Sequence, residues 1–195
     1  MNRSILYPTL FFFLFLNIGN AGTIPRRVVS LSPIITETIY LVGAEKQLIA
    51  NTTYCNVPKP AQYKEKIGSV IQMNVEKIIR LKPDLVIASA LSREKQLKML
   101  ENLSIPVIRA KNPKTFDQMC EITLDLGKTL GCLDQAARIT ARAKHEAGVI
   151  LERTAPLEKP SVFLQIGIKP LHSANKDMFI NEYIRYGGGL NIAEH

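Results

Sequence analysis

The polar residues of this sequence that best suit a binding site follow a short apolar run. Val28 to Leu31 is rich in β-branched residues, which predicts a buried strand. Ser32 then stands where a helix N-cap is expected, with its hydroxyl accepting a hydrogen bond from the first turn, and Pro33 fits the first helical position. The turn lies at the carboxyl end of the predicted sheet, where open α/β folds bind ligands. The same pattern also begins any α/β domain, so the local sequence leaves both interpretations open.

The residue types that catalysis needs are not grouped in this sequence. The turn after Leu31 reads Ser-Pro-Ile-Ile, whereas a small nucleotide-binding oxidoreductase would need Gly-x-Gly-x-x-Gly there. No nucleophile stands with a base and an orienting residue. The three histidines, His145, His172 and His195, are far apart, and an exported metal-ion binder would need clustered histidines and acidic residues. We therefore expect no enzyme, no resident cofactor and no metal site.

The three cysteines, Cys55, Cys120 and Cys132, form no Cys-x-x-Cys pair. Residues of this kind are more often small buried hydrophobic groups than partners in a disulfide. A Cys120–Cys132 disulfide is the alternative, if the turn between their helices brings them together in an oxidising compartment.

The first 21 residues have the pattern of a secretory signal peptide. Arg3 precedes an apolar stretch from Ile5 to Gly19, and small residues stand before Ala21 at the expected cleavage site. The apolar stretch is short for a membrane span, although an N-terminal anchor is the alternative. We therefore expect export, cleavage near Ala21 and a mature protein that begins near Gly22.

The charge of the chain does not indicate a nucleic-acid partner. The formal net charge is +8 including Arg3, and such a balance could suit an anionic ligand or a membrane surface. The basic residues are interleaved with acidic ones, however, and form no basic stripe. A solvated surface is the better interpretation.

Residues 22–114 predict an N-terminal α/β lobe. Glu37 is expected near the positive end of the first helix dipole, and Gly43 at the end of that helix. Strands and helices alternate thereafter, which indicates a parallel sheet covered on both faces. The further strands are predicted at Leu48–Ala50, Asp84–Ala88 and Ile105–Ile108, and the helices begin after Asn74 and Ser92.

Residues 115–154 predict a helical segment, and residues 155–195 the start of a second lobe. One helix runs to about Leu130 and ends at Gly131, and a longer helix from Asp134 to Arg153 would span about 30 Å as a strut between two lobes. The second lobe begins with a buried strand, Ser161–Ile166, and a helix, Met178–Tyr186, ended by glycines. One βα unit cannot bury both faces of a sheet, so this lobe is expected to be incomplete.

Several of these motifs together resemble a known family. They are Arg27-Val-Val-Ser-Leu-Ser-Pro33 with Thr36-Glu37, the loop from Tyr54 to Pro58, the segment from Met73 to Ile87, and the long helix. The motifs resemble the periplasmic binding proteins of ABC importers for vitamin B12 and iron complexes, over almost all of residues 26–195. Two segments, Val162–Pro170 and Tyr186–Ile192, are most similar to the cobalamin-binding members.

The resemblance implies two α/β lobes joined by one long helix, with the ligand in the cleft between them. Cobalamin or a related corrinoid would be a transported ligand rather than a cofactor, delivered in the periplasm by a monomer to the permease of an ABC importer. Ser32, Pro33 and Tyr54 are the predicted ligand-binding residues; a packing role is the alternative for Tyr54. Glu76 matches the position that docks onto the permease, although a carboxylate there also stabilises a helix start.

Two departures from the family keep alternatives open. The cobalamin binders carry a tryptophan just before the Met-Asn pair, whereas this chain has Val70 there and no tryptophan. Haem or a ferric siderophore is therefore the alternative ligand. The family's second lobe has several βα units and this chain supplies about one. We expect a C-terminally truncated chain, with a non-functional remnant as the alternative.

Overall fold

A five-stranded parallel sheet forms the centre of the first lobe. The computed structural model of the chain describes residues 23–193, so the predicted signal peptide lies outside the described residues. The strand order is β3-β2-β1-β4-β5, and every neighbouring pair is parallel. All five carboxyl ends therefore meet at one edge of the sheet. The strands are β1 (Val28–Ser30), β2 (Leu48–Asn51), β3 (Glu65–Lys66), β4 (Leu85–Ala88) and β5 (Val107–Arg109).

Helices cover both faces of this sheet, as the alternating pattern predicts. Helices α1 (Pro33–Leu41) and α4 (Phe116–Thr129) pack on one face, and α2 (Val75–Arg80) and α3 (Glu94–Asn102) pack on the other. Neighbouring residues of a strand point to opposite faces. Val28 and Ile87 accordingly belong to the first core cluster, whereas Val29 and Val86 belong to the second. A short 3₁₀ helix, Lys59–Tyr63, lies between β2 and β3.

The ends of the helices confirm some of the predicted caps and correct others. Ser32 is the N-cap of α1, but its hydroxyl makes no capping hydrogen bond, and Glu37 lies beyond the first turn, too far along to benefit from the dipole. Gly43 ends the helix with φ of +81°, as predicted. Asn74 caps α2 by accepting a hydrogen bond from the Lys77 N–H at 2.9 Å. The prediction of Ser92 as a cap was wrong by one residue: Arg93 is the N-cap of α3, because the Ser92 hydroxyl accepts instead from the Ser89 N–H.

The long helix is present nearly as predicted. Helix α5 runs from Leu133 to Thr154 and packs along α4, from which Gly131 separates it with φ of +73°. All three cysteines are free thiols, so the alternative of a Cys120–Cys132 disulfide was wrong. Cys120 is buried, and burial raises the pKa of its thiol, which favours the neutral form.

The second lobe differs from the predicted single strand and helix. Strand β6 (Ser161–Val162) pairs with β9 (Leu190–Asn191), and β7 (Gln165–Gly167) pairs with β8 (His172–Ser173). The prediction of one buried strand over Ser161–Ile166 was therefore wrong. Each of the two pieces has one described partner, and the Phe163 and Ile166 side chains remain about half exposed. Helix α6 covers Ile180–Tyr186, and Gly188 follows it with φ of +78°. Across residues 23–193, none of the helices has both the length and the apolar character that a membrane crossing requires.

Two glycines in the long helices predict opposite effects of the same substitution. A methyl group at Gly127 in α4 would overlap the Cβ of Ala136 in α5, whereas one at Gly148 would meet open space. Gly127→Ala should therefore push the two helices apart and lower the free energy of unfolding by about 1–3 kcal/mol. Gly148→Ala should raise it by up to about 1 kcal/mol, because alanine favours the helix. Urea unfolding followed by circular dichroism would measure both, and equal effects would contradict the close contact.

Candidate functional site

An apolar cleft lies between the two lobes. It has a volume of about 570 Å³. Its first wall comes from the start of α1, the loop after β5 and α4, and its second wall comes from β7 and α6. The side chains that make it apolar are Ile34, Pro113 and Met119 on the first wall, and Ile166, Met178, Phe179 and Tyr183 on the second. Such walls suit a flat, largely apolar ligand.

The apolar surface continues beyond the cleft along one side of α1. A groove of about 710 Å³ lies between α1, the loop around Pro58 and α4. Ile34 and Met119 line both cavities, so the groove and the cleft meet at these two residues. A ligand that fills the cleft can therefore extend along α1.

Few charged groups stand at the cleft, and these are balanced. Lys114 Nζ lies 3.7 Å from Asp177 Oδ1, which joins the two walls at an exposed position. Asn112 adds an amide that can donate and accept hydrogen bonds. Within residues 23–193, no group of three or more His, Cys, Asp and Glu side chains is arranged to hold a metal ion. The cleft therefore offers apolar contact with a few polar anchors.

Arg109, at the carboxyl end of β5, is occupied by two carboxylates of α3. Its guanidinium donates to Glu101 at 2.7 Å and to Glu94 at 2.9 Å. These hydrogen bonds lower the pKa of both the Glu94 and the Glu101 carboxyls. The positive charge at this end of the sheet edge is thus neutralised within the protein.

The two walls of the cleft are fixed to each other through α4 and α6. Glu182 Oε2 accepts a hydrogen bond from the Phe116 N–H, the first residue of α4, at 2.9 Å. The Phe116 and Tyr186 rings meet edge to face, with centroids 5.7 Å apart, and Arg185 lies 4.4 Å above the Tyr186 ring. Arg185 also donates to Glu182 at 2.9 Å. These contacts set the relative position of the walls.

The predicted ligand-binding residues follow neighbouring strands, at the same edge of the sheet. Ser32 and Pro33 follow β1, and Tyr54 follows the neighbouring strand β2 with 65% of its side chain exposed. Ser32 lines a small pocket beside Lys111, and Ile34, next to Pro33, lines the main cleft. None of Ser32, Pro33 and Tyr54 lines the main cleft or the groove along α1.

Glu76 lies apart from this group. It is an exposed carboxylate in the first turn of α2, which packs on the opposite face of the sheet from α1. It lines neither cavity.

Sequence reasoning missed most of the cleft walls. Asn112 and Pro113 follow β5 and could have been found, because every loop at a carboxyl strand end is a candidate for ligand contact. Met119, Phe179 and Tyr183 carried no such signal. They come together through the packing of α4 against α6, which no local pattern predicts.

Comparison with known proteins identifies the family of this chain. Residues 28–192 match the family described as periplasmic binding protein. The vitamin B12-binding protein of Pectobacterium atrosepticum is 32% identical over 181 residues, which cover 88% of this chain and 63% of that protein. The chain therefore spans less than two thirds of the length of this curated relative.

Two solved structures share the fold. The periplasmic vitamin B12-binding protein BtuF of Vibrio cholerae has a TM-score of 0.75 and 25% identity, over 87% of this chain and 67% of BtuF. A possible iron-binding (periplasmic solute-binding) protein of Staphylococcus epidermidis has a TM-score of 0.79 and 25% identity, over 88% of this chain and 68% of that one. These matches confirm the predicted α/β class, with a parallel-sheet lobe and a long helix, and the prediction of a binding protein rather than an enzyme. The chain belongs to the periplasmic binding protein family.

Proposed function

We propose that this chain binds a corrinoid such as cobalamin in its inter-lobe cleft and delivers it to the permease of an ABC importer. The observation that carries the proposal is the similarity to a vitamin B12-binding protein over 88% of the chain. The cleft supports it, because about 570 Å³ with apolar walls suits a large planar ring. Asn112, Lys114 and Asp177 can anchor the amide groups at the edge of a corrin.

The predicted residues have definite roles in this proposal. Ser32, Pro33 and Tyr54 do not line the cleft itself, so in this proposal they contact the part of the ligand that extends beyond it, from two neighbouring loops. The Tyr54 ring offers a flat apolar face with a polar tip. The Ser32 hydroxyl makes no capping bond and is free to bind. Glu76 docks onto a cationic surface of the permease. Residues 1–21 direct export to the periplasm, where the chain acts as a monomer.

An iron complex, haem or a ferric siderophore, is the second candidate ligand. Val70 stands where the cobalamin binders carry a tryptophan, and the chain has no tryptophan to replace it. The similarity to a possible iron-binding protein favours the same alternative. Both candidates use the same cleft and the same transport role.

Equilibrium dialysis of the purified protein against cyanocobalamin tests the proposal. We expect binding at micromolar affinity or tighter, with haem and ferrioxamine B bound more weakly in parallel cells. Tyr54→Ala should weaken cobalamin binding about tenfold, since it removes an aromatic contact of about 1–1.5 kcal/mol. Tyr63→Ala is the matched control, because Tyr63 is also an exposed tyrosine but ends the 3₁₀ helix before β3, away from the carboxyl ends of the strands.

Three results would change the conclusion. Tighter binding of haem or ferrioxamine B would replace the corrinoid by the second candidate. Equal losses in Tyr54→Ala and Tyr63→Ala would remove Tyr54 from the site. A soluble chain that unfolds cooperatively but binds none of the three ligands would contradict the proposed function.

A further inference from the structure

Lys66, the last residue of β3, has an unusually full set of hydrogen-bond acceptors. Its Nζ lies 2.8 Å from Asn51 Oδ1, 3.1 Å from the Ala61 carbonyl, 3.2 Å from that of Cys55 and 3.3 Å from that of Thr52. A lysine ammonium has three N–H donors, so four oxygens saturate it. The acceptors span residues 51–61, the loop that carries Tyr54 and is called here the Tyr54 loop.

A buried polar network fixes the base of the Tyr54 loop to α1. Asn51 Nδ2 donates to the Ala61 carbonyl at 3.0 Å, which closes the loop across its ends. Cys55 Sγ lies 3.2 Å from Thr36 Oγ1 and 3.1 Å from Thr52 Oγ1. Asn51, Thr52, Cys55 and Thr36 are all fully buried. The loop is therefore anchored from inside, next to the turn that carries Ser32.

The Tyr54 side chain itself has little packing to hold it. It is 65% exposed, whereas its neighbour Cys55 is fully buried. The position of the ring therefore depends on the backbone of the loop, and three of the carbonyls that define this backbone converge on Lys66 Nζ. Charge-assisted hydrogen bonds of this kind are stronger than neutral ones. Methionine at position 66 would remove all of them. Among the described residues, the Cys55 carbonyl and Asn51 Oδ1 would then lose their donor, whereas the Ala61 carbonyl would keep Asn51 Nδ2 and the Thr52 carbonyl would keep the Cys55 N–H.

We propose that Lys66 is the positioning residue for Tyr54, holding the Tyr54 loop in its ligand-binding conformation before the ligand arrives. Lys66 does not itself contact the ligand in this proposal. Preorganisation raises affinity because the loop need not be ordered during binding. The part of this inference that concerns affinity rests on the proposed function, whereas the part that concerns loop order does not.

A double-mutant cycle tests the effect on affinity. Dialysis against cyanocobalamin would compare the parent protein with Lys66→Met, Tyr54→Ala and the double variant. Each single variant should bind about tenfold more weakly, and the double variant no more weakly than about tenfold, because both changes remove the same contact. A double variant weakened by the product of the two single effects would overturn the proposal.

Lys64→Met is the matched control for Lys66→Met. Lys64 stands two residues earlier, and its Nζ donates to one carbonyl outside the loop, that of Glu45, at 3.0 Å. Its substitution should leave the affinity within about twofold of the parent, because the Lys64 side chain donates to no acceptor of the Tyr54 loop. An equal loss in Lys64→Met would show that Lys66 has no special role.

A second measurement needs no ligand. The chain has no tryptophan, so Tyr54→Trp places a single tryptophan at the tip of the loop. Fluorescence anisotropy decay should show faster local motion of this tryptophan when Lys66→Met is added, with far-UV circular dichroism unchanged. Unchanged motion would overturn the proposal even if the protein bound none of the ligands tested.

Both experiments can still be carried out if the Lys66→Met variant fails to fold. If Lys66→Met does not give a folded protein, Lys66→Gln replaces it, since a side-chain amide keeps two N–H donors. Lys66→Gln should then give smaller changes in the same direction. Loop motion that is equal in the parent and in Lys66→Gln would contradict the proposal.

Discussion

Met119→Glu is expected to weaken cyanocobalamin binding about a hundredfold, which corresponds to about 2.8 kcal/mol. Met119 lines both the cleft and the groove along α1, so the substitution places a carboxylate where the two cavities meet. A ligand that covers this point must remove the carboxylate from water without supplying a partner, which is costly. Dialysis against cyanocobalamin measures the loss directly.

Met99→Glu is the control for the same change in chemistry. Met99 lies on α3, across the sheet from Met119, and its side chain is 48% exposed. Its substitution should leave both the affinity and the unfolding midpoint unchanged. If Met119→Glu binds as tightly as Met99→Glu does, the ligand does not occupy the cleft that the two lobes enclose.

The first lobe was predictable because its signals are local. A strand buried on both sides is mostly apolar, as Val28-Val29 and Leu85 to Ala88 are, although the buried strand ends Ser30 and Asn51 are polar. Asn74 and Gly43 mark a helix start and a helix end through their own side-chain and backbone chemistry. Such features need only a few neighbouring residues, so the sequence alone carries them.

The second lobe was less predictable because its strands depend on partners far along the chain. Val162 to Ile166 has the composition of a buried strand, but β6 pairs with β9, near residue 190, and β7 pairs with β8. The composition of a segment indicates that burial would be favourable, but whether the segment is buried depends on which strands pair with it. Phe163 and Ile166 are apolar, as a buried strand requires, and yet they are half exposed in the structure.

The candidate site divides in the same way. The loops after β1 and β2 were predicted as ligand-binding segments, because carboxyl strand ends share one edge in any parallel sheet. The opposite wall could not be predicted, since Phe116 and Glu182 are 66 positions apart and meet through a single hydrogen bond and the packing around it. The role of Lys66 could not be predicted either, because its four acceptors lie between 5 and 15 positions away in the chain and meet only in the folded structure.

Glu182→Gln is expected to lower the free energy of unfolding by about 2 kcal/mol at pH 7, since it removes the charge from hydrogen bonds with Arg185 and with the Phe116 N–H. The Arg185 hydrogen bond, with that from Phe116, lowers the pKa of the Glu182 carboxyl in the folded protein. The stabilisation is therefore fully present above the pKa of an unfolded glutamate, about 4.3. It is lost as the pH falls below that value through the lowered folded pKa.

Urea unfolding of the parent and of Glu182→Gln at pH 7 and at pH 3 isolates this contribution. The difference between the two proteins should shrink at the lower pH, even though both lose stability there as other carboxyls are protonated. Glu158→Gln makes the same change in an exposed carboxyl of the segment between α5 and β6, and should have little effect at either pH. A difference between the parent and Glu182→Gln that is as large at pH 3 as at pH 7 would show that the carboxylate charge does not hold α6 against α4. The cleft would then owe its shape to other contacts between the walls, such as the Phe116–Tyr186 ring contact and the Lys114–Asp177 ion pair.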